Sequence, residues 1–251
     1  MPHALLFAGP EGTGKLPMAF ALASALLCEH PHEGEACGVC QSCRFTARLE
    51  HPDLHFVFPV VKESSKAAVS DTQLGAFREL MLQNPYATYH DWLATISDEK
   101  KKARIYVAES EQILHKLSIV SAMGRYKVMI IWLPENMEME TANALLKTLE
   151  EPTGQTAFIL VSNDAAQLLE TIRSRTQRLN FSLLPEQLIA ETLQTQRGLS
   201  AEDARIVARQ AGGSLAKAYQ ELSAGSLRGV QLELFQCLMR RAYASDVIAL
   251  E

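Results

Sequence analysis

Five short apolar runs, rich in β-branched and aromatic residues, lie within the first 183 residues of the chain. Each run is bounded by polar or turn-forming residues, which is typical of strands that are covered on both faces of a parallel sheet. The predicted strands are residues 5–8, 54–61, 127–132, 157–162 and 177–181.

Stretches whose apolar residues recur at helical spacing separate these strands. The predicted helices are residues 15–27, 72–83, 109–123 and 138–150. Strands that alternate with helices need crossover connections, and such connections produce a mostly parallel sheet. The sequence therefore predicts an α/β fold for this part of the chain.

The pattern changes after Leu184 and Pro185, because no further strand is predicted beyond them. Helical spacing continues, and glycines separate one helical stretch from the next. These stretches are residues 186–196, 201–210, 215–222 and 227–244. We therefore expect an α/β domain over residues 1–183 and a small all-helical domain over residues 184–251.

Composition and charge narrow the possible functions. Of the 251 residues, 47% are hydrophobic and 21% are charged, which is the profile of a globular protein with a full core. The net charge of -5 argues against a chain that coats nucleic acid by itself, because that needs clustered Lys and Arg. No apolar run approaches the roughly 20 residues of a bilayer-spanning helix, and no signal peptide opens the chain. We expect a cytoplasmic protein without membrane contact.

The stretch GPEGTGKL, residues 9–16, lies between the first predicted strand and the first predicted helix. In this context it matches the phosphate-binding pattern G-x-x-x-x-G-K-[ST] at every position except the last. Gly9, Gly12 and Gly14 allow backbone N–H groups to converge on phosphate oxygens. Lys15 supplies a positive charge for the terminal phosphates. The sequence thus predicts a phosphate loop.

Two positions that normally help to hold Mg²⁺ beside such a loop carry apolar residues instead. Leu16 replaces the Ser or Thr whose hydroxyl binds the ion. The third strand ends in Trp132 and Leu133, where an acidic pair is needed, and the next acid, Glu135, follows a proline and is expected to be out of register. We predict that the chain does not hydrolyse ATP and binds ATP or ADP weakly or not at all.

Four of the five cysteines are clustered in the sequence with the spacing C-x8-C-x2-C-x2-C. In a cytosolic chain this spacing is typical of a metal site rather than of disulfides. Four thiolates close a tetrahedral zinc site without an open position for water, so the predicted role is structural. The alternatives are an iron–sulfur cluster and a zinc site in which His30 or His32 replaces one cysteine. The predicted zinc module covers about residues 28–43, with the ligands Cys28, Cys37, Cys40 and Cys43.

Four motifs occur in a fixed order along the chain: the phosphate loop, the four-cysteine insert after the first helix, NALLKTLEEP at residues 143–152, and SRT at residues 174–176. This combination resembles the bacterial clamp-loader ATPases of the AAA+ class. That family includes the gamma/tau and delta-prime subunits of DNA polymerase III. The resemblance extends over essentially the whole chain and implies an AAA+ P-loop domain followed by a helical lid domain.

The resemblance implies a role for Arg175. The family carries a catalytic arginine in a Ser-Arg-Cys motif, and Ser174, Arg175 and Thr176 match it except at the last position. The implied role is an arginine finger in trans, a guanidinium that reaches the ATP site of a neighbouring subunit and neutralises charge on the γ-phosphate. The alternative is a surface ion pair, because Arg173 and Arg178 lie close by in the sequence.

Three departures distinguish this chain from gamma/tau-type members of the family. Those members keep the Ser or Thr after the lysine, an acidic pair after the third main strand, and an arginine in a Gly-Ser-x-Arg motif of the helical domain. This chain has Leu16, Trp132-Leu133 and Gly213-Ser214-Leu215-Ala216 in those places. The implied protein is a non-hydrolysing clamp-loader subunit of a DNA polymerase (nucleotidyltransferase) holoenzyme, which helps to load the sliding clamp on primed DNA.

The partners implied by the resemblance are the gamma/tau and delta clamp-loader subunits, the sliding clamp, and primer–template DNA reached only through the assembled complex. The family also carries an N-terminal helical segment and a C-terminal collar domain, and we expect both to be absent here, as in a fragment cut at both ends. One alternative is an active gamma/tau-like ATPase, which the intact Lys15 favours. A remote alternative is a P-loop kinase for a small molecule, for which the sequence offers no assignable acceptor pocket or base.

Overall fold

The computed structural model describes residues 2–62, 67–97, 101–123 and 126–223, together with Phe235 and Met239. The chain divides into two compact units, Met1–Leu183 and Leu184–Glu251. Most of the helix predicted over residues 227–244 lies outside the described residues. Within the described part of the chain, every helix is too short or too polar to cross a membrane.

The first unit is built on a five-stranded sheet. Its strands are β1 (Ala4–Ala8), β2 (Leu54–Val57), β3 (Lys127–Trp132), β4 (Thr156–Ser162) and β5 (Gln177–Asn180). They are ordered β2-β3-β4-β1-β5, and every neighbouring pair is parallel. The predicted α/β fold with a mostly parallel sheet is confirmed.

The parallel register gives the sheet two chemically different edges. The loops that follow β1, β3 and β4 all emerge at one side, which we call the carboxyl edge. Segments that lead into the strands lie at the other side, the amino edge. Leu5 is paired with Gln177, the first residue of β5, so the segment before β5 lies at the amino edge. Ligands of open α/β sheets usually bind at the carboxyl edge.

Helices cover both faces of the sheet in the first unit. They are α1 (Lys15–Leu27), α2 (Gln41–Thr46), α3 (Leu74–Gln83), α4 (Tyr89–Ile96), α5 (Ala108–Ser118), α6 (Met139–Glu150) and α7 (Glu170–Arg173). Leu5 and Phe7 of β1 belong to one core cluster and Leu6 to the other. Both faces of the sheet are therefore buried, as continuous apolar strands predict.

β2 is shorter than predicted, because the apolar run continues beyond it as buried chain that leaves the parallel sheet. The N–H of Phe58 donates to the hydroxyl of Ser70 at 3.0 Å. Val60 then forms an isolated antiparallel bridge with Arg104. A hydrophobic pattern alone does not distinguish such a segment from a strand.

α5 also ends before its predicted end. The carboxylate of Asp53 accepts hydrogen bonds from the N–H groups of Ala122 and Met123, at 2.7 and 2.9 Å. Lys127 Nζ donates to the carbonyl oxygen of Leu117 at 2.7 Å. These distant side chains replace the hydrogen bonds that further helical turns would make, so the helix stops early.

The second unit contains α8 (Glu186–Arg197), α9 (Ala201–Ala211) and a helix over residues 215–223. Gly198 and Gly212, in the left-handed conformation with φ of +66° and +58°, end α8 and α9. The helices α8 and α9 pack against each other. The bounds of α8 and α9 agree within one residue with the predicted stretches 186–196 and 201–210, and helical residues cover the whole predicted stretch 215–222.

Candidate functional site

The phosphate-loop residues lie at the carboxyl edge of the sheet, between β1 and α1. Gly12 and Gly14 have φ angles of +77° and +86°, a left-handed conformation that residues with a Cβ rarely adopt. Gly14 directly precedes α1, so the unpaired N–H groups of the first helical turn face the loop. The backbone thus has the strand–turn–helix form on which phosphate binding relies.

Gly9 has a packing role that its place in the motif does not reveal. A Cβ on Gly9 would lie 2.1 Å from the carbonyl oxygen of Phe181. Phe181 in turn donates its N–H to the carbonyl of Ala8 at 2.7 Å. Only glycine therefore allows the chain after β5 to approach the end of β1 so closely.

Lys15 is buried and turned toward the backbone of its own loop. Its Nζ donates to the carbonyl oxygens of Gly9 at 2.7 Å and Pro10 at 2.5 Å. Burial lowers the pKa of Lys15 to about 8, against the opposing effect of the carboxyl groups of Glu135 and Glu11. Near pH 8 the Lys15 side chain is therefore neutral in about half of the molecules, which weakens its attraction for phosphate.

Glu11 extends from the phosphate loop to two other elements. Its Oε1 accepts hydrogen bonds from the N–H of Tyr89 and from Asn163 Nδ2, both at 3.3 Å. Asn163 directly follows β4. A carboxylate of the loop therefore binds the side-chain amide that lies beside it at the carboxyl edge of the sheet.

Although Glu135 follows a proline beyond the end of β3, the structure brings its carboxyl group near Lys15. Leu133 adopts a left-handed conformation with φ of +55° and leads into a short 3-10 helix, Pro134–Asn136, which carries Glu135 back toward the loop. Glu135 Oε1 accepts from the N–H of Asn163 at 2.9 Å, and its charge raises the pKa of Lys15. Burial raises the pKa of Glu135 itself. The unusual turn at Leu133 was not evident from the sequence.

Leu16 and Trp132, the two residues expected to disable the metal site, are buried in the same core cluster. Both line the cavity beside the phosphate loop. Neither side chain offers an oxygen ligand to Mg²⁺. The cavity between these side chains and the loop is small, with a volume of about 30 Å³.

The four predicted metal ligands come together at the end of α1. Their Sγ atoms all lie within 4.8 Å of one another, and the cluster consists of these cysteines alone, without His30 or His32. The Sγ atoms of Cys28 and Cys40 are 3.9 Å apart. Tetrahedral coordination with Zn–S bonds of about 2.3 Å requires sulfurs about 3.8 Å apart. The four thiols therefore fit one ion of this size.

The surroundings of two of the four thiols shift their pKa values in opposite directions. Backbone N–H groups of Val39 and Cys40 lower the pKa of Cys37 to about 6. Burial raises the pKa of Cys43 to about 12. Cys43 is thus protonated at neutral pH unless a bound metal ion displaces its proton.

Glu29, directly after Cys28, connects the two ends of the cysteine cluster. Its Oε1 accepts from the N–H of Ser42 at 3.0 Å, and this hydrogen bond lowers the pKa of Glu29. Ser42 immediately precedes Cys43. The carboxylate thereby holds the segments that carry the first and the last cysteine next to each other.

Arg175 lies between α7 and β5, at the amino edge of the sheet. β5 begins two residues later and runs parallel to β1. The five residues of β1 alone span roughly 15 Å, which is more than one arginine side chain covers. Arg175 therefore does not reach the phosphate loop of its own chain.

Arg175 forms an ion pair, although with a partner that the sequence did not indicate. Its Nε donates to Glu150 Oε1, its Nη2 forms an ion pair with the same oxygen, and its Nη1 donates to the carbonyl of Thr171. Arg173 and Arg178 bind other side chains. The three neighbouring arginines thus have separate partners, and Arg175 is the one attached to the end of α6.

Comparison with known proteins identifies the family. The sequence profile of the family described as "DNA polymerase III, delta subunit" matches residues 1–185, which is more than half of the chain. The chain belongs to this family. The clamp-loader relationship predicted from the motifs is thereby confirmed.

The similar proteins of this DNA polymerase III delta-family chain fall into two groups, named delta' and gamma/tau. "DNA polymerase III subunit delta'" of Escherichia coli K12 is 29% identical over 234 residues (93% of this chain, 54% of that protein), and its Bacillus subtilis namesake is 33% identical over 211 residues (83% and 50%). "DNA polymerase III subunit gamma/tau" of Mycobacterium tuberculosis H37Rv is 31% identical over 219 residues (84% and 31%). The chain spans about half the length of the delta' relatives it matches.

A solved gamma-subunit-related protein of Thermotoga maritima aligns with a TM-score of 0.44 at 14% identity, covering 84% of this chain and 55% of that one.

Sequence reasoning missed three carboxylates that hold candidate functional groups of this delta-family chain: Glu11, Glu29 and Glu150. All three lie inside stretches already singled out, since Glu11 is in the phosphate loop, Glu29 is in the four-cysteine segment and Glu150 is in NALLKTLEEP. Position within a motif was therefore an available signal. Their partners are 13 or more residues away, so spacing alone does not reveal the contacts.

Proposed function

We propose that this chain is a delta-prime-type subunit of a bacterial clamp loader, which helps to load the sliding clamp on primed DNA without hydrolysing ATP itself. Its catalytic contribution is Arg175, donated in trans to the ATP site of a neighbouring gamma/tau subunit. The observation that carries this proposal is the position of Arg175 at the amino edge of the sheet, opposite its own phosphate loop. A guanidinium at that edge can serve only a nucleotide that another subunit holds.

The chemistry required of Arg175 is electrostatic. During ATP hydrolysis negative charge spreads over the oxygens of the transferred γ-phosphoryl group, and a fixed guanidinium stabilises that charge. The planar fork of N–H donors matches two phosphate oxygens. Arg175 is partly exposed, with its side chain 34% accessible, so it is available to a neighbouring protein surface.

The surroundings of its own phosphate loop support the absence of ATP hydrolysis. Leu16 and Trp132, which line the cavity beside the loop, provide no oxygen for Mg²⁺. Two carboxyl groups, those of Glu11 and Glu135, lie close enough to Lys15 to raise its pKa. Where these groups are ionised they repel a triphosphate, which opposes nucleotide binding.

We further infer that Cys28, Cys37, Cys40 and Cys43 hold one zinc ion. The separation of the sulfur atoms supports this assignment. Because four thiolates saturate a tetrahedral ion, the metal has no site for substrate and its role is structural. The ion would fasten the end of α1 to the start of α2.

The partners follow from the same proposal. The chain assembles with gamma/tau and delta clamp-loader subunits and, as part of that complex, acts on the sliding clamp in the cytoplasm. Its net charge of -5 gives it little attraction for DNA phosphates by itself. Primer–template DNA is therefore bound by the assembled complex. The delta' and gamma/tau names of its relatives support this assignment.

Nucleotide binding by the purified chain tests the proposed loss of the ATP site. We expect ADP and ATP to bind with dissociation constants of about 1 mM or weaker, with no increase in affinity when Mg²⁺ is added. The alternative, an active gamma/tau-like ATPase, is favoured by the intact Lys15 and the proximity of Glu135. Equilibrium titration with a labelled nucleotide distinguishes the two, since micromolar, Mg²⁺-dependent binding that Lys15→Ala abolishes would establish the ATPase.

A further inference from the structure

Glu150 and Thr171 fix the guanidinium of Arg175 from two sides. Nε of Arg175 donates to Glu150 Oε1 at 2.5 Å, and Nη2 forms an ion pair with the same oxygen. Nη1 donates to the carbonyl oxygen of Thr171 at 2.9 Å. Glu150 is the last residue of α6 and Thr171 lies in α7. Two separate helices therefore determine where the side chain points.

These contacts use only part of the hydrogen-bonding capacity of Arg175. A guanidinium has five N–H donors, and the three contacts occupy one each on Nε, Nη1 and Nη2. One N–H therefore remains on each of the two terminal nitrogens. Two such donors are what a paired contact with phosphate oxygens requires. The carboxylate thus binds Arg175 while leaving its end equipped for a second anion.

We propose that Glu150 is a positioning residue, which holds the guanidinium of Arg175 in place so that its two remaining N–H groups meet the γ-phosphate of the neighbouring subunit. This inference rests on the function proposed for Arg175. An unrestrained arginine at a surface samples many rotamers, and ordering it costs conformational entropy. Because Glu150 and Thr171 order the side chain before the subunits meet, that cost no longer falls on the catalytic step.

Steady-state ATP hydrolysis by the clamp loader tests the role of Glu150. The protein is assembled with gamma/tau and delta subunits, the clamp and primed DNA, and the Arg175-dependent rate is the difference between wild type and Arg175→Ala. We expect Glu150→Gln to remove about nine-tenths of the Arg175-dependent rate through kcat, with KM for ATP unchanged, because a neutral amide holds the guanidinium less firmly. Glu150→Asp should retain part of that rate. The matched control is Glu151→Gln, at the adjacent exposed residue, which should keep the full rate.

The double variant shows whether Glu150 acts through Arg175. When Arg175 is already replaced by alanine, adding Glu150→Gln should lower the rate of ATP hydrolysis no further. If the two substitutions lowered the hydrolysis rate additively, Glu150 would act independently of Arg175 and the positioning role would be overturned. A higher rate with Glu150→Gln would also overturn it, because the carboxylate would then hinder Arg175. Thermal unfolding of Glu150→Gln should match that of Glu151→Gln, because exposed ion pairs stabilise little. If Arg175→Ala leaves the rate unchanged, the proposed function itself fails. If Arg175→Ala lowers the rate but Glu150→Gln leaves it unchanged, the positioning role alone fails.

Discussion

Replacing Arg175 by alanine is expected to lower DNA-stimulated ATP hydrolysis by the assembled clamp loader, although the altered chain hydrolyses no ATP. At the ATP site that adjoins this chain, the rate should fall by about 10³-fold or more, the range measured for arginine fingers in other nucleotide hydrolases. The reason is that the guanidinium of Arg175 no longer neutralises the charge that develops on the γ-phosphate. Pre-steady-state hydrolysis in the complex, resolved for that site, provides the measurement.

The nearby Arg178 provides a matched control for this experiment. Arg178 donates to Asn180 Oδ1 at 2.7 Å and lies within β5, so Arg178→Ala removes a neighbouring positive charge from the same chain. The rate should stay near that of wild type with Arg178→Ala. Equal losses for both variants would show that Arg175 contributes only to the general charge of the surface. An unchanged rate with Arg175→Ala would rule out the finger.

Loss of the metal is expected to destabilise the first unit strongly. Zinc binding contributes on the order of 10 kcal/mol in isolated zinc-finger peptides. The effect here should be smaller, at several kcal/mol, because most of the core lies elsewhere. Cys43→Ser, at a buried ligand position, should abolish bound metal and lower the melting temperature. Elemental analysis of the wild type should find about one zinc per chain, and a chelator should lower its melting temperature in the same direction.

Histidine variants separate the two ligand sets considered for zinc. His30 and His32 are exposed and are not part of the thiol cluster. His30→Ala and His32→Ala should therefore retain the metal and the melting temperature of the wild type. Iron in place of zinc, no metal at all, or loss of metal with either histidine variant would contradict the four-cysteine site.

The parallel sheet could be predicted because its strands are buried on both faces and appear as continuous apolar runs. The start of α1 could be predicted as well, since Gly14 and Lys15 place a helix directly after the phosphate loop. In the second unit, Gly198 and Gly212 marked the helix ends correctly. In each case the signal lies in residues that are close together in the sequence.

The structure differs from the sequence-based predictions where residues that are far apart in the sequence contact each other. The end of α5 depends on Asp53, which lies 69 residues before Ala122. The place of Glu135 depends on the left-handed conformation of Leu133, for which the sequence carries no glycine signal. The missed helix α4 had a local signal, since Thr88 and Asp91 form a capping box. Helices of this length carry too few periodic positions to stand out otherwise.

The most direct test is the rate at which the purified chain, without other subunits, releases phosphate from ATP. Because neither Leu16 nor Trp132, which line the cavity at Lys15, provides an oxygen ligand for Mg²⁺, we expect no release above that of a blank, with or without Mg²⁺. Steady release that requires Mg²⁺ and disappears with Lys15→Ala would show that the chain is itself an ATPase.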